Sequence, residues 1–274
     1  GHFGREEPEF TWEATDKAVP GSDGNEAAHS WSVGTRVSMP EEKTAHLRRV
    51  LRLEHGQEVL VTDGRGQLYG AVFEVEGKKG FAQIRGLLRS EKKEHDVTLI
   101  LGLPKNNTMD WVLEKAVECG ASRIVPVETA RSVVKVGAER GDKYLKRWGA
   151  IAEAAIEQSE RLWGVEIAEP VSWNDFLSSY QAPGHPVRIA CFSESREEYE
   201  DQRIPLQEFW KAMADCQNRP IEAWIGPEGG FTESERKIIV ERGFVPVSLG
   251  QQVLRVETAA VAVLWSIVLR RALG

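Results

Sequence analysis

The order of apolar and polar positions divides the chain into three stretches. Residues 1–30 show little periodicity and contain Pro20-Gly21-Ser22-Asp23-Gly24-Asn25, the composition of a flexible, loosely attached segment. Between 36 and 90 the apolar residues come in short runs. Val59-Leu60-Val61-Thr62 leads into Asp63-Gly64-Arg65-Gly66, a hairpin signal, and then into Leu68-Tyr69-Gly70-Ala71-Val72-Phe73. Gly77-Lys78-Lys79-Gly80 is a second turn, followed by Phe81-Ala82-Gln83-Ile84. A helix over 41–52 places Leu47, Val50 and Leu51 on one face. Short strands joined by tight turns predict a small β-barrel over 31–92.

Beyond the charged linker Glu91-Lys92-Lys93-Glu94-His95-Asp96 the period changes. Strands are predicted at 97–101, an apolar run of buried-strand length, and at 123–127, 187–192, 221–225 and 244–249. Helices are predicted at 108–119, closed by Gly120, and at 142–161, where Leu145, Trp148, Ile151, Ala152, Ala155 and Ile156 recur at helical spacing. Further helices are predicted at 206–216, at 232–242 and, apolar almost all round, at 257–273. Strands alternating with helices predict an α/β domain over 93–274, its mostly parallel sheet covered on both faces.

Composition adds limits. The 274 residues are 41% hydrophobic and 28% charged, ordinary values for a globular protein. No run of about 18 apolar residues is present, so no membrane helix is predicted, and the polar, acidic residues 1–10 do not resemble a signal peptide. Cys119, Cys191 and Cys216 form no CxxC pair and no disulfide framework, which points to a reducing, cytoplasmic setting. The six histidines are scattered, so no metal site is expected. A net charge of −7 argues against indiscriminate nucleic-acid binding. The charge is uneven, however: residues 1–35 carry −5, whereas 36–95 carry +3 through Arg48, Arg49, Arg52, Lys78, Lys79, Arg85 and Arg89 among others. A local basic patch of this kind suits a polyanion, or is simply a solvated face.

Two strand ends carry the candidate chemistry, because parallel α/β sheets bind ligands beyond the carboxyl ends of their strands. The first is Ile225-Gly226-Pro227-Glu228-Gly229-Gly230-Phe231-Thr232, where three glycines permit close backbone approach and Thr232 with Glu235 forms a capping box. The second is Leu249-Gly250-Gln251-Gln252-Val253-Leu254-Arg255-Val256-Glu257-Thr258-Ala259. Glu257 in a first helical turn suits the helix dipole, and Arg255, set between apolar neighbours, is placed to grip an anion or a carboxylate. GxGxxG, GK[ST], GxSxG and HExxH are all missing, so the chemistry rests on positioning and a cofactor rather than on a covalent enzyme intermediate.

Several segments together resemble the ribosomal RNA small subunit methyltransferase E family. They are Gly102-Leu103-Pro104-Lys105 with residues 111–120, Lys146-Arg147-Trp148 with Glu153-Ala154 and 157–161, both glycine-bearing loops, and His46-Leu47 with Val50-Leu51-Arg52 and Gly56. The resemblance covers roughly residues 35–274 as a combination of motifs. It implies a SPOUT-type methyltransferase domain with a C-terminal trefoil knot, preceded by a PUA-like barrel. It also implies a homodimer, S-adenosylmethionine bound in the knot, and methylation of N3 of one uridine in 16S rRNA of the small ribosomal subunit. On these positions it implies a cofactor site of Leu103, Ile225, Gly226, Pro227, Gly229, Gly230, Leu249, Gly250, Val253, Leu254 and Thr258, catalysis by Arg255 and Glu257, and RNA contacts from Arg48, Arg49, Arg52, Lys105, Arg131 and Arg161. The family's opening Arg-Phe-rich strand is displaced here by the acidic segment 1–30, in which Arg5 is the one early arginine.

Two other readings are compatible with the residues. One is a SPOUT-type enzyme acting on transfer RNA, which the Leu254-Arg255 and Glu257-Thr258 signature does not distinguish. The other is an RNA-binding protein without catalysis, against which the two glycine-bearing strand ends argue.

Overall fold

A computed structural model describes residues 10–13, 31–93, 96–135, 141–181, 184–192, 206–214 and 216–273. These separate into two compact units. The first holds the described residues up to Lys93 together with Ile156–Gly164, and the second holds the remainder.

The first unit is built on a five-stranded sheet. Its strands are β1 (Phe10–Glu13), β2 (Arg36–Met39), β3 (Glu58–Thr62), β4 (Gln67–Glu76) and β5 (Lys79–Ser90), in the order β1-β3-β4-β5-β2. Alternation along β4 sends Tyr69, Ala71 and Phe73 inward, against Val59 and Val61 of β3 and Ala82 and Ile84 of β5. β1 adds to β3 in parallel, so part of the stretch read as loosely attached is a strand. Four residues between polar flanks leave too short an alternation to be seen in sequence. Arg5 and the rest of 1–30 lie outside the described residues.

Helix α1 (Glu41–Arg49) is shorter than predicted. Arg52 takes a left-handed φ of 58°, which turns the chain after the helix. Leu47 is therefore buried, whereas Val50 and Leu51, expected beside it, are exposed at 62% and 38%.

The segment Ile156–Gly164 pairs with the β3–β4 hairpin of this unit. Gly66 N and Thr62 Oγ1 donate to Leu162 O at 3.0 and 3.2 Å, Gly164 N donates to Gly64 O at 2.9 Å, and Arg65 and Trp163 form an antiparallel bridge. Gly66 has φ +92°, and a Cβ there would sit 2.5 Å from the Trp163 ring. The hairpin glycine thus serves two needs, a turn conformation and room for an indole.

The second unit is a parallel sheet of seven strands: β6 (Val97–Gly102), β7 (Arg123–Glu128), β8 (Glu166–Ile167), β9 (Val171–Ser172), β10 (Val187–Cys191), β11 (Ile221–Ile225) and β12 (Val245–Val247). The order is β12-β10-β11-β6-β7-β8, with β9 also on β7. Every residue of β6 and β11 is buried, as a sheet covered on both faces requires; Glu222 in β11 is the buried charge, accepting from Tyr180 at 2.7 Å and Arg188 at 2.9 Å. One face packs against α2 (Asn106–Glu118), α3 (Gly141–Gln158), α5 (Leu206–Ala212) and α7 (Val256–Leu273) through Val112, Trp148, Phe209 and Val263. The other packs against α4 (Trp173–Ser179) and α6 (Glu233–Glu241) around Trp224, with Phe176, Phe231 and Phe244 at its edges. β8, β9 and α4 were not predicted, because two-residue strands carry no period. Ser172 caps α4 by accepting from Asp175 N at 3.1 Å.

α7 is not buried all round. Val256, Ala259, Ala260, Val263, Leu264 and Ile267 face the core, whereas Trp265, Leu269 and Leu273 stand exposed at 51%, 41% and 82%. No described helix is long and apolar enough to cross a membrane. Among the described residues no three metal-ligating side chains cluster.

Candidate active site

Parallel register fixes the position of the site. Ile225 pairs with Leu101 and Cys191, Cys191 pairs with Val247, and Gly102 pairs with Val127. The carboxyl ends of β10, β11, β12, β6 and β7 therefore meet along one edge, where the loops after β11 and β12 enclose a cleft of about 470 Å³. That lies within the usual size of small-molecule sites, roughly 300–1,000 Å³.

The loop after β11 is held closely. Gly102 ends β6 directly beneath it: a Cβ there would lie 2.4 Å from Pro227 Cδ and 2.7 Å from Pro227 N. A Cβ on Gly226 would meet the Phe231 ring at 3.1 Å, and Gly230 has φ +66°. The glycines are thus required by close approach and by backbone conformation. Glu228 Oε1 accepts from Lys105 N at 3.1 Å, tying the loop to the start of α2. The capping box of α6 is formed as its sequence suggests, with Thr232 and Glu235 bonding reciprocally.

The loop after β12 is more open. Gly250 has φ +133°, and Ser248 Oγ accepts from Gly250 N at 3.3 Å while donating to Gly250 O at 2.9 Å. Gln251, Gln252 and Val253 are exposed, Val253 at 69%. α7 then begins at Val256, with Glu257 in its first turn. Arg255 is 87% exposed, its Nη1 4.0 Å from Glu257 Oε1. An exposed pair at that distance contributes about 0–1 kcal/mol, so it does little to fix the guanidinium.

Of the residues singled out in sequence, Ile225, Gly226, Pro227, Gly230, Leu249, Gly250, Val253, Leu254, Arg255, Glu257 and Lys105 all line the cleft. Leu103, Gly229 and Thr258 do not. Leu103 is buried and donates its N–H to Val127 O at 2.7 Å. Thr258 is exposed on α7. Arg131, expected at RNA, donates from Nη1 to Gly229 O at 2.9 Å. Arg48, Arg49 and Arg52 are exposed in the first unit, to which Arg161 also belongs.

The sequence gives no role to Thr108, Cys191, Phe192, Arg236 or Ser248, which also line the cleft. Burial pushes the Cys191 thiol up to about 12, which makes it a neutral wall rather than a nucleophile. Arg236 reaches the cleft from α6 with its guanidinium 5.4 Å from the centre of the Phe192 ring. Strand-end position was the available signal for Cys191 and Phe192. Arg236 had none, because a helix face cannot be aimed from sequence alone.

Most of the chain is similar to known proteins. A family model described as an RNA methyltransferase domain matches residues 91–268, and one described as an RNA methyltransferase PUA domain matches 40–84. The chain is 30% identical over 225 residues to a ribosomal RNA small subunit methyltransferase E of Synechocystis, covering 81% of this chain and 69% of that protein. It is similar to the crystal structure of a ribosomal RNA small subunit methyltransferase E from Neisseria gonorrhoeae bound to S-adenosyl methionine. The TM-score there is 0.72 at 28% identity, over 97% of both chains. It is also similar to a putative methyltransferase of Legionella pneumophila in complex with the same cofactor, with a TM-score of 0.76 at 26% identity over 98% of both chains. The two matched domains together span most of the sequence, and the chain belongs to the ribosomal RNA small subunit methyltransferase E family.

Proposed function

We propose that the protein transfers a methyl group from S-adenosylmethionine to N3 of one uridine in 16S rRNA, working in the cytoplasm as a homodimer. One observation carries the reading: a single cleft joins both glycine-bearing loops to Arg255 and Glu257. The cleft suits the cofactor. Ile225, Leu249, Leu254 and Ala259 offer apolar walls for an adenine ring, and the glycines admit backbone contacts that side chains would block. The cofactor supplies a methyl group already activated on a sulfonium.

The rest falls to the protein's own residues. Uridine N3 carries a proton, and its loss leaves negative charge on the ring oxygens. Glu257, a quarter exposed at the cleft, accepts the proton directly or through water. Arg255, an exposed cation loosely held by that carboxylate, stabilises the oxygens. Arg48, Arg49 and Arg52 on the first unit supply phosphate contacts, with Lys105 at the cleft itself. The exposed stripe Trp265, Leu269 and Leu273, at i, i+4 and i+8 on α7, supports a second copy as partner. The C-terminal chain is threaded as a trefoil knot around the cleft in this reading.

The test is incubation of the purified protein with S-adenosylmethionine and either small subunits or 16S rRNA from a strain lacking the modification, followed by mass-spectrometric mapping. A single new N3-methyluridine is expected. Methyl transfer to transfer RNA alone would refute the substrate. A concentration-independent monomer mass in sedimentation would refute the dimer.

A further inference from the structure

The glycine loop is held by two side chains that do not line the cleft. Glu235, in the first turn of α6, is 4% exposed. Its Oε2 accepts from Thr232 N at 2.7 Å and from Thr232 Oγ1 at 2.9 Å, which belongs to the helix cap. Its Oε1 does something a cap does not require: it accepts from Ala130 N at 2.7 Å, on the loop that follows β7. The next residue returns the contact. Arg131 Nη1 donates to Gly229 O at 2.9 Å, and its Cβ sits 3.0 Å from where a Cβ on Gly229 would lie.

The anchoring loop is itself well fixed. Thr129 and Ser132 are buried, Ser132 N donates to Thr129 O at 3.1 Å, and Thr129 N donates to Ser132 Oγ at 3.1 Å. Two charged side chains thus staple loops that lie about a hundred residues apart in sequence. Hydrogen bonds to charged groups are the stronger kind, and a buried carboxylate with its donors satisfied holds a geometry rather than merely filling space.

We propose that Glu235 and Arg131 are positioning residues of the reaction, which set the glycine loop at the distance the cofactor requires. This rests on the reading that the loop binds S-adenosylmethionine. Glu235→Gln loses one tie, since a carboxamide presents one acceptor and sets its NH2 against a backbone N–H. Arg131→Met removes the contact to Gly229 O.

The test is calorimetric titration of the full chain with S-adenosylmethionine, alongside thermal melting and single-turnover methylation at saturating cofactor. Glu235→Gln and Arg131→Met are each expected to weaken cofactor binding about tenfold. Their saturated single-turnover rates are expected to stay within about twofold of native. Arg131→Lys, which keeps a donor, is expected to recover most of the affinity. Thr232→Ala weakens the helix cap and spares the Ala130 tie, so it is expected to lower melting while binding natively. Because Arg131 is exposed, its variants report even where Glu235→Gln folds poorly. Native affinity in Arg131→Met overturns the proposal. So does an affinity loss that tracks melting temperature through all variants including Thr232→Ala. Failure of the native chain to bind S-adenosylmethionine removes the functional reading, and this inference with it.

Discussion

Gly102→Ala adds one methyl group outside the cleft, and it is expected to abolish most cofactor binding. The added Cβ would stand 2.4 Å from Pro227 Cδ, 2.7 Å from Pro227 N and 3.1 Å from Gly226 C, where ordinary contact begins at 3.4 Å. None of these atoms is the end of a flexible side chain. Gly102 is held in register with Val127, and Ile225 just before the loop is held against Leu101, so the strands cannot part. The loop must retreat instead, by about 1 Å, at an overpacking cost of about 1–3 kcal/mol. Binding that requires the native loop position must meet that cost of about 1–3 kcal/mol, roughly 5- to 150-fold in affinity, and Gly226 and Pro227 are cleft walls. Calorimetry with S-adenosylmethionine should therefore show affinity reduced by about one to two orders of magnitude, with a melting temperature only a few degrees lower. Gly149→Ala is the control: no atom lies within 4 Å of its Cβ, and on a helix the change should stabilise by about 0.5–1 kcal/mol without touching affinity. Native affinity in Gly102→Ala would mean that the loop yields freely, and the argument from close approach would fail.

Arg255→Ala should lower the single-turnover rate about 100-fold while leaving cofactor affinity and melting near native, since the side chain is 87% exposed and 4.0 Å from its carboxylate; near-native turnover would remove it from catalysis. Replacing Arg48, Arg49 and Arg52 together with Gln should weaken RNA binding and flatten its salt dependence without changing cofactor affinity, and unchanged RNA binding would assign them to a solvated face. Tyr180, half-buried and donating to Glu222 Oε1 at 2.7 Å, has its phenol raised above the usual 10.0, first by desolvation and then by that carboxylate. A raised folded value means that the contribution is whole below pH 10 and drains away above it. Native stability measured by denaturant titration should therefore fall more steeply above pH 10 than that of Tyr180→Phe, and parallel slopes would refute the assignment.

How much of this was legible in the sequence follows from where each constraint acts. The long strands and helices of the second unit announce themselves by period, because burial on both faces forces mostly apolar runs in β6 and β11. Most of the cleft was legible too, because glycines clustered at a strand end have few uses besides a turn or a ligand. What escaped depends on partners distant in sequence. Glu235 reads fully as a capping residue, and nothing local shows that its second oxygen reaches Ala130. Arg131 reads, through the resemblance, as an RNA contact, and nothing local shows that Gly229 O lies in front of it. α7 reads as covered all round, by its own domain or by a partner, and which side its own domain leaves uncovered, that of Trp265 and Leu269, is not legible, since composition says how apolar a helix is and not what covers each side.

The strip Ile156–Gly164 bears on how such enzymes can be recombined. The polypeptide passes between the two units after Lys93, again after Ala155 and back after Gly164, so the module around the hairpin is not one continuous stretch of gene. Exchanging only the residues up to Lys93 for those of another enzyme would confront Leu162 and Trp163 with a foreign hairpin, where any side chain in place of Gly66 would strike the indole. A transplant that works must carry two pieces of coding sequence at once. A single crossover falling between the hairpin and the strip would part them, so the two should be inherited together.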